Sequence, residues 1–212
     1  MDLLYTISGF TVGAIVGMTG VGGGSLMTPL LVLLFGIHPA TAVGTDLLYA
    51  SLTKAGGTVA HGLKGHIDWK IAGLLASGSL PAAMLTLWGL SFLPKRSEAV
   101  SQLISMSLGV ALVLTAAALI FRAKLISYAL THDSPSLRQH TDLMTVITGA
   151  VLGVLVSISS VGAGALGVAA LFFLYPRMPA IRIIGSDIAH AVPLTFVAGV
   201  GHWFLGSIDW AL

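Results

Sequence analysis

The chain has 212 residues, of which 56% are hydrophobic and only 8% are charged, with a formal net charge of +2. Soluble domains carry about 25% charged residues, so this composition excludes a water-soluble globular domain and indicates a multi-pass membrane protein. The scattered basic residues exclude nucleic acid as an expected partner. The absence of cysteine excludes disulfides, zinc–thiolate sites and iron–sulfur clusters, and no metal or other cofactor is expected.

The N-terminal apolar segment, residues 3–36, is too long for one simple span. It contains no Asp, Glu, Lys or Arg. As a straight helix it would measure roughly 51 Å, whereas the hydrocarbon core is about 30 Å thick. Within it, the stretch MTGVGGGSLMTPLL (18–31) places four glycines between positions 20 and 24. Because each glycine weakens a helix by about 1 kcal/mol, the pattern predicts a broken helix.

Four apolar segments of ordinary length, a second long segment and a polar connector make up the rest of the chain. Spans are predicted at about 40–61, 71–93, 100–121 and 181–205, the last of them kinked by Pro193. The second long segment is 143–176, again with 34 residues. Residues 122–142 form the polar connector, and they are interpreted as an exposed loop.

The two halves of the chain resemble each other. Residues 42–69, AVGTDLLYASLTKAGGTVAHGLKGHIDW, and residues 183–210, IIGSDIAHAVPLTFVAGVGHWFLGSIDW, are identical at nine of 28 positions without a gap. The identical pairs include Gly44/Gly185, Asp46/Asp187, His61/His202 and Trp69/Trp210. The glycine-rich stretch also has a counterpart, since GVGGGSLMTPLL at 20–31 matches SVGAGALGVAAL at 160–171. The pattern indicates a tandem repeat.

This repeat predicts the fold class: an all-α polytopic membrane protein with two tandem repeats whose first helices are broken by glycine, discontinuous or re-entrant. Repeat one covers residues 1–121, and repeat two covers residues 143–212. Because repeat one continues past Trp69 through two more spans, about fifty residues and two spans are expected beyond Leu212, and a naturally shortened second repeat is the alternative. An inverted arrangement is favoured, since a segment that doubles back gives each repeat an odd number of spans, and transporters often use that symmetry.

The matching breaks at 20–24 and 160–164 predict a binding site. A break creates new helix N-termini at about Ser25 and Ala165, whose free N–H groups and positive dipole ends attract an anion. Close packing between helices is the alternative role of these glycines. The candidate substrate-binding residues are Gly22, Gly23, Gly24, Ser25, Thr45, Lys54, Gly162, Gly164 and Ser186.

Three charged side chains, Asp46, Lys54 and Asp187, lie well inside predicted spans, where a charge normally faces a partner or a wet cavity. Lys54 would attract an anion, or else form a structural ion pair or reach towards the headgroups. The candidates for proton coupling or gating are Asp46, Asp187, His190, His61 and His202. The alternative for the aspartates is a role at helix N-termini, and for the histidines it is interfacial hydrogen bonding.

Residues 20–69, GVGGGSLMTPLLVLLFGIHPATAVGTDLLYASLTKAGGTVAHGLKGHIDW, resemble the N-terminal half of the sulfite exporter TauE/SafE family, also called the toluene-sulfonate uptake permease family. Its members share a GxGGGxLxxPxL stretch, an apolar segment with a GT or GS pair, and an IDW-like loop. The resemblance implies a secondary transporter that moves small sulfur-containing or organic anions, such as sulfite, sulfonates or sulfoacetate, across a bacterial inner membrane. It implies the lipid bilayer as surroundings and leaves proton coupling and homo-oligomer formation open.

Three other functions remain open at this point. A divalent metal-ion transporter could use the intramembrane aspartates and histidines, although the chain lacks cysteine and an HxxxH spacing. A passive anion channel has no sequence feature that separates it from a carrier. An intramembrane serine hydrolase could use Ser25 as nucleophile with His61 or His190 as base, but Ser25 matches Ala165 in the second copy, so an enzyme is not expected.

Overall fold

The computed structural model describes residues 3–19, 24–93, 98–131 and 140–210. Over these ranges the chain forms helices joined by turns and short links, with no strand. The helices are α1 (Leu3–Thr19), α2 (Gly24–Leu33), α3 (Pro39–Leu63), α4 (Trp69–Ser91), α5 (Glu98–Ile120), α6 (Arg122–Thr131), α7 (Thr141–Ser159), α8 (Ala165–Leu174) and α9 (Ala180–Phe204).

Four helices, α4, α5, α7 and α9, are long and apolar enough to cross a membrane, judged over the part of the chain that the structure describes. Helix α3 has 25 residues, as many as α9, but its interior carries Asp46 and Lys54. The bounds of α3, α4, α5 and α9 agree within two residues with the spans predicted from hydropathy. The predicted all-α polytopic class is confirmed.

The second long segment is broken by residues that adopt left-handed backbone conformations. Helix α7 ends at Ser159, and Ser160 follows it with φ 59°. Gly162 and Gly164 then have φ values of 124° and 137°, which favour glycine because it has no Cβ. Helix α8 begins at Ala165, as the glycine pattern predicts.

In the first long segment, described helices lie on either side of the matching place. Helix α1 ends at Thr19 and helix α2 begins at Gly24. Gly22 and Gly23, which are predicted to bind substrate, lie outside the described residues. Over its described residues, the first segment contains these two helices.

The second segment doubles back on itself. Tyr175, which directly follows α8, forms a hydrogen bond of 2.8 Å between its hydroxyl and Thr145 Oγ1, near the start of α7. Leu152, halfway along α7, lies beside both Gly162 and Gly167. Helix α8 therefore runs antiparallel to α7 and returns towards the level at which α7 begins.

Helices α3 and α9 run antiparallel in close contact. Near the start of α3, Gly44 packs against the carbonyl of Ser207, just beyond the end of α9. Near the start of α9, Gly185 packs in the same way against the carbonyl of His66, just beyond the end of α3. A Cβ at either glycine would overlap that oxygen, so only glycine permits this approach.

Helices α4 and α7 run parallel with their backbones in contact. Gly149 of α7 packs against the carbonyl of Leu75, and Gly153, one turn later, packs against the carbonyl of Ser79. Small residues allow this approach because no side chain keeps the two helices apart. The contact joins a helix of the first half to a helix of the second half.

The polar connector differs from the expected loop. Its first ten residues, RAKLISYALT, form helix α6, since Arg, Ala, Lys and Leu are strong helix formers. The Arg122 guanidinium lies 4.6 Å from the centre of the Phe172 ring in α8, which holds α6 against the second half. Hydropathy alone missed this helix because its polar residues resemble those of an exposed loop.

The apolar core lies between α3, α5, α7 and α9. Its buried members include Val43, Leu47, Ile104, Val156 and Leu194. Large apolar side chains also cover the outer surface, among them Leu63, Met106 and Phe204, which is the arrangement that a lipid solvent favours. Trp69 and Trp210 are likewise exposed, as expected for anchors at a membrane interface.

Candidate functional site at the helix breaks

The two helix breaks touch each other. Gly24, the first residue of α2, packs against the backbone carbonyl of Ser160, which follows α7. A Cβ at residue 24 would overlap this carbonyl. Ser25 is buried next to the contact, with 9% of its surface exposed. The N-terminus of α2 therefore lies against the interruption of the second half.

Asp46 of α3 connects the two breaks. Its Oδ2 atom accepts a hydrogen bond of 2.7 Å from Thr28 Oγ1 of α2 and one of 2.6 Å from Ser160 Oγ. The side chain is buried, with 4% exposed. Asp46 lies in the third turn of α3, which begins at Pro39, so it does not cap a helix N-terminus. Its role in the structure is to hold α2, α3 and the second break together.

The ammonium group of Lys54 lies at the second break. Its Nζ donates a hydrogen bond of 2.7 Å to the carbonyl of Ala163. The charge of Lys54 interacts with the carboxylates of Asp187 and Asp46. An ammonium group has three donors, so this contact leaves two for other acceptors. Lys54 thus points into the protein rather than towards the headgroups.

The second break also presents backbone donors. The N–H groups of residues 162–166 make no hydrogen bond within the described part of the chain. Gly162, Ala163, Gly164 and Ala165 are buried. The first turn of a helix leaves its N–H groups without intrahelical partners, and the helix dipole makes that end positive. Unpaired amides and the Lys54 ammonium therefore meet at one place.

Asp187, the counterpart of Asp46 in the repeat, lies in a different environment. Both of its carboxylate oxygens are buried and have no hydrogen-bond partner among the described residues, and the residue is 1% exposed. Its Oδ1 lies against Gly167 of α8, where a Cβ would overlap it. Val168 and Ala169, which follow in α8, have no hydroxyl to offer, whereas Thr28 of α2 binds Asp46. The repeat therefore places two equivalent carboxyl groups in unequal surroundings.

The three candidate histidines have different neighbours. His190, one turn after Asp187, shares a hydrogen bond of 2.8 Å with Ser79 Oγ of α4 through its Nε2. His202 donates from Nε2 to the Ser157 carbonyl at 2.8 Å, because a carbonyl can only accept. His61 is only partly buried. In all three residues Nδ1 is buried and has no hydrogen-bond partner in the part of the chain that the structure describes, which leaves each ring one site for a proton or a water.

Thr45 and Ser186 act at the helix ends rather than at the breaks. The Asp209 N–H donates to Thr45 Oγ1 at 3.1 Å, and the Asp68 N–H donates to Ser186 Oγ at 2.8 Å. These two pairs correspond to each other in the repeat. Each hydroxyl holds the loop of the opposite half, so the structure does not bring either one to Lys54.

Several hydroxyl groups of the site were not singled out from the sequence. Thr28, Ser79 and Ser160 form buried hydrogen bonds with partners between 18 and 114 residues away. Such pairings leave no local pattern. Of these three residues, only Ser160 lies within the break that the sequence predicts, at its first position.

Within the described residues, no three His, Cys, Asp or Glu side chains lie together in a way that could hold a metal ion. The charged groups at the break are instead one ammonium and two carboxylates. At the second break itself, Lys54 and the positive end of α8 would repel a divalent cation.

Comparison with known proteins identifies the family. The family model for the sulfite exporter TauE/SafE matches residues 5–212. The chain belongs to the sulfite exporter TauE/SafE family. It is 38% identical over 214 residues to the probable membrane transporter protein YjnA of Bacillus subtilis (strain 168), which covers 100% of this chain and 83% of that protein.

Two further relatives of the TauE/SafE family member carry similar names. A probable membrane transporter protein of Xylella fastidiosa (strain Temecula1 / ATCC 700964) is 32% identical over 216 residues, 100% of this chain and 78% of the relative. The probable membrane transporter protein YunE of Bacillus subtilis is 41% identical over 70 residues, 33% of this chain and 26% of the relative. No solved structure matches the chain.

Family membership and the apolar helices together define the protein as a multi-pass membrane transporter. The resemblance seen in the glycine-rich stretch is confirmed. The family consists of transporters rather than enzymes, so the serine hydrolase alternative is discarded. A helical protein of this kind is consistent with the bacterial inner membrane.

Proposed function

We propose that this TauE/SafE protein is a secondary transporter of small sulfur-containing or organic anions, with sulfite and simple sulfonates as its substrate class. The observation that carries the proposal is the meeting of the Lys54 ammonium with the unpaired amides of residues 162–166. Both are donors only, and both are positive in character. An acceptor with negative charge is the ligand that such a site favours.

The electrostatic contribution of Lys54 supports this choice of ligand. Two opposite unit charges about 4 Å apart attract each other by about 4 kcal/mol where the effective dielectric constant is about 20. Amide donors at the start of α8 add hydrogen bonds that need no further basic side chain. A sulfonate or sulfite group has three oxygens and can accept from the ammonium and from several amides at once.

The relation between the two halves supports alternating access. Equivalent helices α3 and α9 lie antiparallel, and the 143–176 segment doubles back. We propose that the halves are inverted repeats and that α3 crosses the membrane beside α9. Transporters built in this way expose a site between the repeats to one side and then to the other. Substrate release then requires the α3–α9 contact to open at alternate ends.

Exchange in proteoliposomes tests this function. We expect labelled sulfite or methanesulfonate to exchange with the same unlabelled anion across the membrane. Lys54→Gln should raise the concentration for half-maximal exchange by at least about tenfold, equivalent to about 1.4 kcal/mol. Lys64→Gln is the matched control, because Lys64 is exposed in the turn after the same helix.

The outcomes separate the competing functions. Exchange that is unchanged in Lys54→Gln would remove the proposed site. Steady anion conductance, with uptake of labelled anion that unlabelled anion on the opposite side does not accelerate, would indicate a channel. Movement of a divalent cation in place of the anion would indicate a metal transporter. The first result contradicts the proposed site, and the other two contradict the proposed carrier.

A further inference from the structure

The two repeat-related aspartates differ in how their negative charge is balanced. Asp46 accepts two hydroxyl hydrogen bonds at 2.6 and 2.7 Å. Asp187 accepts none, although both of its oxygens are buried. A buried carboxylate without donors is costly, unless a nearby opposite charge compensates or a proton neutralises it. Asp187 therefore depends on its electrostatic surroundings in a way that Asp46 does not.

The charged and titratable groups facing Asp187 are few. Helix α3 presents Lys54, whose Nζ bonds to the Ala163 carbonyl, about one turn before the Gly167 that Asp187 Oδ1 contacts. Asp46 lies about two turns earlier in α3. Helix α9 itself presents His190 one turn later, hydrogen-bonded to Ser79. The sequence of α8 contains no titratable residue.

Helices α4 and α7 present no further charge to Asp187. The basic residue of α4, Lys70, and the acidic residue of α7, Asp142, pair with each other at 2.7 Å, and both side chains are more than half exposed. The charge balance of Asp187 accordingly rests on Lys54.

The positive charge of Lys54 can compensate either the proposed anion or the Asp187 carboxylate. In the structure it lies at the second break, where the proposed anion binds, and it also compensates Asp187. An anion at the break takes up the Lys54 charge and adds a second negative charge nearby. Both effects disfavour the ionised Asp187 and favour its neutral acid.

We propose that Asp187 takes up one proton when the anion binds, so that a proton and an anion cross the membrane together. The proton comes from water on the open side and converts the carboxylate to a carboxylic acid. It leaves again when the anion departs and Lys54 is free to compensate Asp187. This inference rests on the proposed function, and it assigns the coupling step to Asp187 among the candidate residues.

A measurement without substrate tests the linkage between Lys54 and Asp187. Removing the ammonium imitates its occupation by an anion, so Lys54→Gln should show the infrared C=O band of a buried carboxylic acid at neutral pH. The band should vanish in Lys54→Gln/Asp187→Asn and persist in Lys54→Gln/Asp46→Asn. A band that follows Asp46 instead, or no band at all, would overturn the inference even where anion exchange is normal.

A transport measurement tests the coupling itself. Methanesulfonate is the probe, because it remains a monoanion and cannot carry the proton itself. With one proton per anion, a gradient of one pH unit drives an accumulation of about tenfold in the wild type. Asp187→Asn should keep exchange at equal pH and lose this accumulation, whereas Asp142→Asn, at an exposed carboxyl group away from the breaks, is the control and should keep both.

The two failures are distinguishable. Loss of exchange in the wild type contradicts the proposed function, whereas accumulation that survives in Asp187→Asn contradicts the role of Asp187. Size-exclusion chromatography of each purified variant verifies that the compared proteins are folded. A variant that fails this check is replaced by Asp187→Ser, which also removes the carboxyl group and is smaller than aspartate.

Discussion

The hydroxyl of Ser160 donates a hydrogen bond of 2.6 Å to the carboxylate of Asp46, 114 residues earlier in the chain. Ser160 follows α7 and Asp46 belongs to α3, so the bond ties the break of the second half to a helix of the first half. Thr28 of α2 donates to the same oxygen. One carboxylate oxygen thereby joins α2, α3 and the break of the second half.

Removal of either hydroxyl should weaken this junction. We expect Thr28→Val and Ser160→Gly each to lower the free energy of unfolding by about 1–3 kcal/mol, because each leaves the buried carboxylate short of a donor. Glycine suits position 160, where φ is 59°. Thermal unfolding in detergent measures the effect. Thr53→Val, at an exposed residue bonded within its own helix, should change little, and an equal effect at Thr53 would contradict the role of the junction.

Substitution of Gly24 tests the contact between the breaks. Gly24→Ala should reduce the transport rate and cost about 1–3 kcal/mol of stability, since the new Cβ overlaps the Ser160 backbone, which cannot easily move. Transport assays and thermal unfolding of the same preparation measure both quantities. Gly73→Ala, at a helix position with open space around it, is the control. A fully active and stable Gly24→Ala variant would show that the breaks need not touch.

Ligand binding should stabilise the protein through Lys54. A ligand present at 100 times its dissociation constant raises the free energy of unfolding by about 2.7 kcal/mol. We expect sulfite or methanesulfonate to raise the melting temperature of the wild type and to have a much smaller effect on Lys54→Gln. Sodium chloride at equal ionic strength controls for screening. Equal shifts in both proteins would place the bound anion elsewhere.

The loops held by Thr45 and Ser186 should separate during transport. The chain contains no cysteine, so Thr45→Cys/Asp209→Cys introduces a single cysteine pair. These two residues are in contact, with the Thr45 Oγ1 and the Asp209 backbone nitrogen 3.1 Å apart. We expect the oxidised disulfide to stop exchange and a reductant to restore it. Each single cysteine variant serves as control. Unimpaired exchange in the fully cross-linked protein would show that this end stays closed throughout the cycle.

The antiparallel arrangement of α3 and α9 predicts the sidedness of their C-terminal ends. Lys64 follows α3 and Leu205 follows α9. Lys64→Cys and Leu205→Cys should therefore react with a membrane-impermeant maleimide from opposite sides of the membrane. Labelling of both from the same side would exclude inverted repeats, whatever the substrate.

Much of the helix layout follows from hydropathy and from glycine. The bounds of α3 and α9 emerge from the apolar segments, and the break before Ala165 emerges from a glycine cluster that a continuous helix does not tolerate. Both signals are local, because each depends on a few neighbouring residues. Hydropathy does not predict helix α6, because its composition is that of an exposed segment. In the structure it packs through Arg122 on Phe172.

The chemistry of the site was less accessible from the sequence. The sequence analysis predicts Thr45 and Ser186 as substrate-binding residues, but their hydroxyls accept hydrogen bonds from the opposite half instead. Asp46 and Asp187 occupy matching positions in the two similar sequence segments, so the sequence predicts the same role for both. Only the three-dimensional neighbours, Thr28 for one and Gly167 for the other, reveal that they differ.

The close contact between α4 and α7 has a mechanical consequence. Where Gly149 and Gly153 lie directly on carbonyls of the partner helix, no flexible side chain is available to absorb sliding or separation. We therefore expect the two halves to rotate about this line of contact between α4 and α7. We expect the α3–α9 contact to open at one end or the other during transport, while α4 and α7 move together as one unit and limit the size of that opening.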